Sequence, residues 1–258
     1  MAYLTPALAV GRKTLREFEG FLGIWRFSMA SRKAKSLKSK IEGETIMDKP
    51  NIHISIEGFD GVGKTTICRL LTEKLGYEFV EKPLHFLFDE EGSFDEYIRV
   101  RDKVNACPNR DLTSFFYGLG SLYLYHLYDG KNIVTDRHLC SNFAWSGTQD
   151  NKDVYDLLLK KIGKPNLTVV LYANSKTIEA RLRGRNCHDS DLKKVHQSEE
   201  IYGKMRKFCV ENRLNTLWLH TDSMSPKRIV SLILDLLDGL HDGALECFRE
   251  VSLVGGME

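Results

Sequence analysis

Three groups of residues carry chemistry in their types and spacing. Gly58-Phe59-Asp60-Gly61-Val62-Gly63-Lys64-Thr65 satisfies the pattern Gly-x-x-x-x-Gly-Lys-[Ser/Thr]. Gly58, Gly61 and Gly63, with Val62 between the last two, let successive backbone amides turn inward around phosphate oxygens. The amino end of a following helix adds partial positive charge. Lys64 can reach the terminal phosphates of a nucleoside triphosphate and the Thr65 hydroxyl can ligate magnesium, so ATP with Mg2+ is the expected ligand. The second group is Asp136-Arg137. Asp136 is suited to hold magnesium, its water shell or an acceptor hydroxyl, and Arg137 to fork onto an acceptor phosphate; the plainer alternative is a salt bridge at a strand end. The third is Arg181-Leu182-Arg183-Gly184-Arg185. Phosphoryl transfer spreads negative charge over the equatorial oxygens, and the phosphate loop has no arginine to offset it, so these guanidiniums form a candidate lid. A basic helix end complementing its own dipole is the other reading.

Rival users of such a loop leave signatures that are missing. A switch GTPase needs Asn/Thr-Lys-x-Asp to read guanine, and Asn151-Lys152-Asp153 has its carboxylate in the wrong place. Translocating ATPases follow the loop with a long apolar strand ending in Asp; the only such strand is the brief Ile133-Val134-Thr135-Asp136. A small kinase fits better.

Positioning these groups requires strands that end at them. Short apolar runs predict strands at 53–57, 77–81, 132–135, 167–172 and 216–220. Helical spacing predicts helices at 64–75, 112–128, 154–162, 176–182, 192–212 and 226–237, the last opened by Ser225-Pro226 as cap and first-turn proline. The alternation predicts an α/β, P-loop NTPase-type three-layer fold: a five-stranded parallel sheet with helices on both faces and an Arg-rich lid. Asp136 and Arg137 then stand at a strand's carboxyl end, in the same crevice as the phosphate loop.

The 258 residues contain 37 Lys plus Arg and 35 Asp plus Glu, a balance with no bulk electrostatic case for a nucleic-acid partner. The basic excess is local, since residues 1–46 hold nine Lys or Arg against four Glu. This stretch reads as an extension: a transit peptide, a membrane-surface or nucleic-acid arm, or an over-extended reading frame starting truly at Met47. Glu17 and Glu19 count against a transit peptide. Residues 47–241 are the expected kinase domain and 242–258 a weakly patterned tail. Six cysteines without a Cys-x-x-Cys pair read as reduced thiols, and no uncharged apolar run is long enough to cross a bilayer. The expected compartment is the cytoplasm, with mitochondrial import the alternative if the extension is genuine. The expected partner is a small-molecule nucleotide or nucleoside, with no nucleic acid, no membrane, and a homodimer left open.

The motifs together resemble the thymidylate kinase family of nucleoside monophosphate kinases. Glu57-Gly58-Phe59-Asp60-Gly61-Val62-Gly63-Lys64-Thr65-Thr66 is similar to that family's Glu-Gly-x-Asp-Gly-x-Gly-Lys-Thr-Thr. Asp136-Arg137-His138 with Ser141 and Ala144 is similar to its Asp-Arg-Tyr/His-x-x-Ser-x-x-Ala, and Pro165-Asn166-Leu167 to its run into the lid. The resemblance implies that Lys64, Thr65 and Thr66 bind the donor triphosphate and Mg2+. Asp60 would approach the acceptor's sugar hydroxyl, Arg137 its phosphate, and Phe116 would stack on its base. It also implies that the catalytic arginine comes from Arg181, Arg183 or Arg185. The favoured reaction is phosphoryl transfer to a nucleoside monophosphate, dTMP first. Two departures stand out: Glu81-Lys82-Pro83 replaces the family's Arg-Glu-Pro, and Gly120 stands where an arginine should follow Phe116 by four residues. A monophosphate would be held by Arg137 nearly alone unless Lys82, Arg99 or Arg101 substitutes. That keeps deoxynucleoside kinases as the alternative, since a nucleoside needs no phosphate clamp, with a non-catalytic nucleotide-binding protein as the third reading.

Overall fold

Residues 52–90, 93–241 and 250–253 are described by the computed structural model of the chain. The extension at 1–46 lies outside them. β1 (His53–Gly58) is buried along its whole length, as a central parallel strand covered on both faces must be. The phosphate loop follows it and opens α1 (Lys64–Leu75), which ends at Gly76 in the left-handed conformation, φ 68°. β2 (Glu78–Val80), β3 (Ile133–Asp136), β4 (Leu167–Tyr172) and β5 (Thr216–His220) complete the five expected strands.

The sheet goes one strand further. Glu250–Leu253, in the stretch read as a tail, forms β6 and pairs in parallel with β5. The order is β2-β3-β1-β4-β5-β6, every pair parallel. From β1 the chain turns to one side for β2 and β3 and to the other for β4 to β6. Ligands of open parallel sheets bind outside the carboxyl ends of the strands at such a switch.

Between β2 and β3 lie α2 (His85–Phe88), α3 (Asp95–Ala106) and α4 (Arg110–Leu127). After β3 come α5 (Leu139–Ser146) and α6 (Lys152–Ile162); after β4 come α7 (Ser175–Arg185), a 3-10 segment (Ser190–Gln197) and α8 (Ser198–Glu211). α9 (Pro226–His241) follows β5, with the Ser225 hydroxyl accepting from the Arg228 amide as its sequence predicts. α1 packs with α9, and α5 with α4 and α8, so the helices form two groups about the sheet. Ile54, Ile56, Val169, Leu171, Leu217 and Leu219 fill the core between them.

The expected helix at 192–212 is two elements, a 3-10 turn region and α8. α2, α3 and α5 were not among the expected helices. α3 buries only Tyr97, so it leaves almost no apolar period to read.

Candidate active site

The loop after β1 takes its shape from glycines at positive φ: Gly58 at 137°, Gly61 at 85° and Gly63 at 96°. At Gly58 glycine is doubly required, because a Cβ would lie 2.3 Å from the Leu171 carbonyl oxygen on β4. Val62 is buried under the loop. Lys64, only 6% exposed, folds back so that Nζ donates to the Phe59 carbonyl at 2.9 Å and lies 3.6 Å from Asp60 Oδ1. Burial and the nearby Arg137 charge push its pKa down, and Asp60 and Asp136 oppose that shift. Thr66 points outward from the first turn of α1.

β1 and β3 bring the second motif alongside. Their register sets Ile56 opposite Asp136, and the Thr65 hydroxyl donates to Asp136 Oδ2 at 2.6 Å. One hydroxyl and one carboxylate converging beside the phosphate loop fit Mg2+, which takes one or two protein oxygens and leaves the rest to phosphates and water. Among the described residues there is no cluster of three acidic, His or Cys side chains for a metal held by protein alone.

Arg137 then turns sharply, at φ 78°, with its amide bonded to the Ile56 carbonyl. The turn aims the guanidinium back at the phosphate loop. Nη2 lies 2.6 Å from Asp60 Oδ1, and Nη1 donates to the Gly58 carbonyl at 3.0 Å and the Ser141 hydroxyl at 3.3 Å. This is a pairing across the site, not a surface salt bridge. Burial alone would raise the Asp60 pKa, but Arg137 and Lys64 outweigh it and hold the carboxyl well below the usual range. Arg137 is held charged against its own burial by Asp60 and Asp136.

Glu57, fully buried at the end of β1, accepts from both the amide and the hydroxyl of Ser141 in the first turn of α5. Its other oxygen has no partner, and burial pushes its pKa up. Sequence reading placed Glu57 and Ser141 in motifs without giving either a task; the structure shows them tying α5 to β1 beside Arg137.

On the far wall, Phe116 of α4 is half-buried, its ring 6.3 Å from that of Tyr97 and nearly parallel at 18°. Gly120, one turn on, is packed against the loop after β2: a Cβ there would lie 3.3 Å from Leu84 Cγ and 3.6 Å from Pro83 Cγ. The candidate replacements for the absent arginine are mostly engaged elsewhere. Lys82 pairs with Glu81 at 3.2 Å and lies over the Phe94 ring, and Arg99 pairs with Glu96 on the outside of α3. Arg101 pairs with Asp102 at 2.6 Å, within electrostatic range of Tyr97 and Tyr117.

The arginine cluster is not one cluster. Residues two apart on a helix lie on nearly opposite sides, so α7 turns Arg183 away from Arg181 and Arg185, which lie four apart on one face and still reach different partners. Arg181 donates to the Thr221 hydroxyl at 2.9 Å and carbonyl at 2.7 Å beyond β5. Arg183 pairs with Glu179 on the exposed side of its own helix. Arg185 pairs with Asp189, lies 3.8 Å from Asp191, and is within electrostatic range of Asp60.

Sequence reading also passed over Trp145 and Lys194. Trp145 packs on Phe59 of the phosphate loop at 5.4 Å between centroids, and Lys194 Nζ stands 5.7 Å from the Trp145 ring centre. Nothing in the sequence separates Lys194 from Lys193 beside it.

The comparisons with known proteins agree with this geometry. The chain is 29% identical over 191 residues to a putative adenylate kinase of Thermococcus kodakarensis, covering 71% of this chain and 84% of the relative. It is 29% identical over 167 residues to a thymidylate kinase of Leptospira borgpetersenii, covering 60% and 79%. The deoxyadenosine kinase from M. mycoides with bound dCTP shares the fold at 20% identity and a TM-score of 0.50, covering 73% of this chain and all of that one. The thymidylate kinase family model matches residues 56–231, and with the phosphate loop, Asp136 and Arg137 placed together at the carboxyl ends of β1 and β3 the chain belongs to the thymidylate kinase family.

Proposed function

We propose that the protein transfers the terminal phosphoryl group of ATP to a nucleoside monophosphate, dTMP first among them. The observation that carries this reading is the Arg137–Asp60 pair at 2.6 Å, which joins a guanidinium suited to an acceptor phosphate to a carboxylate suited to its sugar hydroxyl, both beside Lys64. Family membership and the name of the leptospiral relative support thymine as the base; the archaeal relatives named adenylate kinase put AMP beside it as the rival.

The residues divide the work. The loop amides and Lys64 bind and orient the donor phosphates. Thr65 and Asp136 would hold Mg2+, whose charge, when bound, offsets that of the donor phosphates. Arg137 grips the acceptor phosphate and Phe116 faces its base. No covalent intermediate is needed, because positioning and charge neutralisation suffice for phosphoryl transfer.

One observation favours a nucleoside acceptor as the second reading: Gly120 leaves no cation one turn beyond Phe116 on α4, and the loop it meets leaves little room for one. Scoring ADP release over a panel of nucleosides and monophosphates with ATP and Mg2+ decides between them. Turnover of thymidine but not dTMP or AMP would overturn the monophosphate reading.

The proposed catalytic unit is residues 47–241. Among the described residues no helix is long and apolar enough to cross a membrane. The proposed assembly is a homodimer through α4. Leu112, Phe115, Leu119 and Leu122 are 46%, 50%, 37% and 43% exposed and recur at spacings of three, four and three, the seam that two copies of one helix bury against each other.

A further inference from the structure

The monophosphate reading leaves a charge deficit. An acceptor phosphate carries up to two negative charges, and of the expected family contacts only Arg137 is in place; Gly120 supplies none, and Lys82, Arg99 and Arg101 are each paired with a neighbouring carboxylate, Glu81, Glu96 and Asp102. A cation from another element could close the gap, and the lid offers one.

Lys194 extends from the 3-10 segment between α7 and α8. Its ammonium stands over the face of Trp145, and Trp145 rests on Phe59, the residue between Gly58 and Asp60. Through Trp145 it is one ring removed from the phosphate loop. Asp60, on the loop, and Tyr117, next to Phe116 on α4, both lie within its electrostatic range.

Its present partner is Asp191, at 2.8 Å on the same segment. Asp191 also lies 3.8 Å from Arg185. One carboxylate thus stands between two lid cations, where an anion from the substrate would stand. Lys194 is about half exposed and Asp191 partly so, so solvent screens the pair and a doubly charged phosphate can displace it.

We propose that Lys194 is the second cation of the acceptor-phosphate site, replacing the arginine that Gly120 displaces, and that Asp191 is the internal anion it leaves when the phosphate arrives. The inference rests on the monophosphate reading. Trp145 gives the lysine stem an apolar face to lie along as the head moves from Asp191 to phosphate.

The test compares acceptors that differ only in the phosphate. Dissociation constants of dTMP and thymidine are measured by calorimetry in the presence of a non-hydrolysable ATP analogue and Mg2+, for wild type, Lys194→Ala, Lys194→Arg and Asp191→Asn. Lys194→Ala should weaken dTMP by about tenfold to a hundredfold, leave thymidine unchanged and keep the KM for ATP within about twofold. Lys194→Arg should recover most of the loss. Asp191→Asn should tighten dTMP, a gain that a merely structural role would not give. Equal weakening of dTMP and thymidine, or no change in either, overturns the proposal while wild-type dTMP turnover keeps the monophosphate reading. A wild type that binds dTMP no better than thymidine and phosphorylates only nucleosides overturns both.

Discussion

Arg137 Nη2 and Asp60 Oδ1 are 2.6 Å apart although 77 residues separate them in the chain. The distance follows from two local features. Arg137 takes a left-handed turn immediately after β3, and Asp60 follows Gly58 in a loop that glycine alone can form. Each residue's task depends on the other: Arg137 keeps Asp60 ionised, and Asp60 fixes the plane in which Arg137 presents its fork.

Removing Arg137 should therefore alter more than one parameter. Arg137→Ala should raise the KM for the monophosphate by an amount worth about 1.5–3 kcal/mol, with ATP affinity nearly unchanged. It should also change the pH profile. The Asp60 pKa lies below its unfolded value, so the pair's stabilisation is in place above the ordinary aspartate range and is lost as pH falls through it toward the folded value. Without Arg137, burial pushes that carboxyl up, and the acid limb of kcat/KM should move to higher pH. An unmoved limb would show that Asp60 does not rely on Arg137.

The three lid arginines should behave differently from one another. Arg185→Lys keeps charge but loses the planar fork, and turnover should fall by about tenfold to a hundredfold with ATP binding near normal. Arg181→Lys loosens the tie to Thr221 and should act on ATP binding more than on turnover. Arg183→Lys, paired outward with Glu179, should resemble wild type. Single-turnover rates beside ATP dissociation constants check all three, and a large turnover loss confined to Arg183→Lys would refute the assignment.

How far the sequence spoke depended on where its signals were local. The phosphate loop and Asp136 were legible because glycine spacing and a strand-ending acid are written in adjacent residues. The lid was legible as composition only: Arg181, Arg183 and Arg185 look like one cluster in a line of text and separate once the helix extends through Arg185. The helix was expected to end at Leu182, which would have left two of the three on a loop. β6 went unread because four residues after a long gap carry too little period to stand out. The task of Glu57 lies in contacts 84 residues away, which no local pattern encodes.

Lys64→Ala should abolish turnover, by more than about a hundredfold, while thermal unfolding stays cooperative. Its buried ammonium bonds the loop carbonyl of Phe59 and, on the proposed reading, would meet the donor phosphates rather than serve the apolar core. Preserved activity in a coupled ADP-release assay would sink the assignment of the loop.

Gly58→Ala tests the loop's backbone separately from its charge. The φ of 137° excludes ordinary side chains, and the new Cβ would meet a backbone carbonyl that cannot rotate away. Destabilisation of at least about 3 kcal/mol is expected, read from denaturant unfolding. Gly63, with nothing within 4 Å of a Cβ, should tolerate Ala better, at the cost of its positive φ alone. Equal losses at the two positions would mean that backbone strain, and not the approach of β4, sets the requirement at Gly58.

The proposed dimer makes the sharpest demand on a surface that plays no part in the chemistry. Phe115 and Leu119 lie in the middle of the exposed stripe on α4, on the side away from the buried Ser121 and Leu124. A glutamate at either position would place a charge in the centre of an apolar seam on both copies at once, since a two-fold interface repeats every substitution. Phe115→Glu and Leu119→Glu should each weaken dimerisation by at least about a hundredfold and leave the monomer folded, because neither side chain belongs to the core. Sedimentation velocity across a concentration series reads this directly. Wild type that stays monomeric at high concentration would refute the interface. A dimer that survives both substitutions would place it on another face. Because Phe116 is the next residue on the same helix, kinetics of the two variants should also be followed: a rise in acceptor KM that tracks dissociation would show that the partner steadies the acceptor wall.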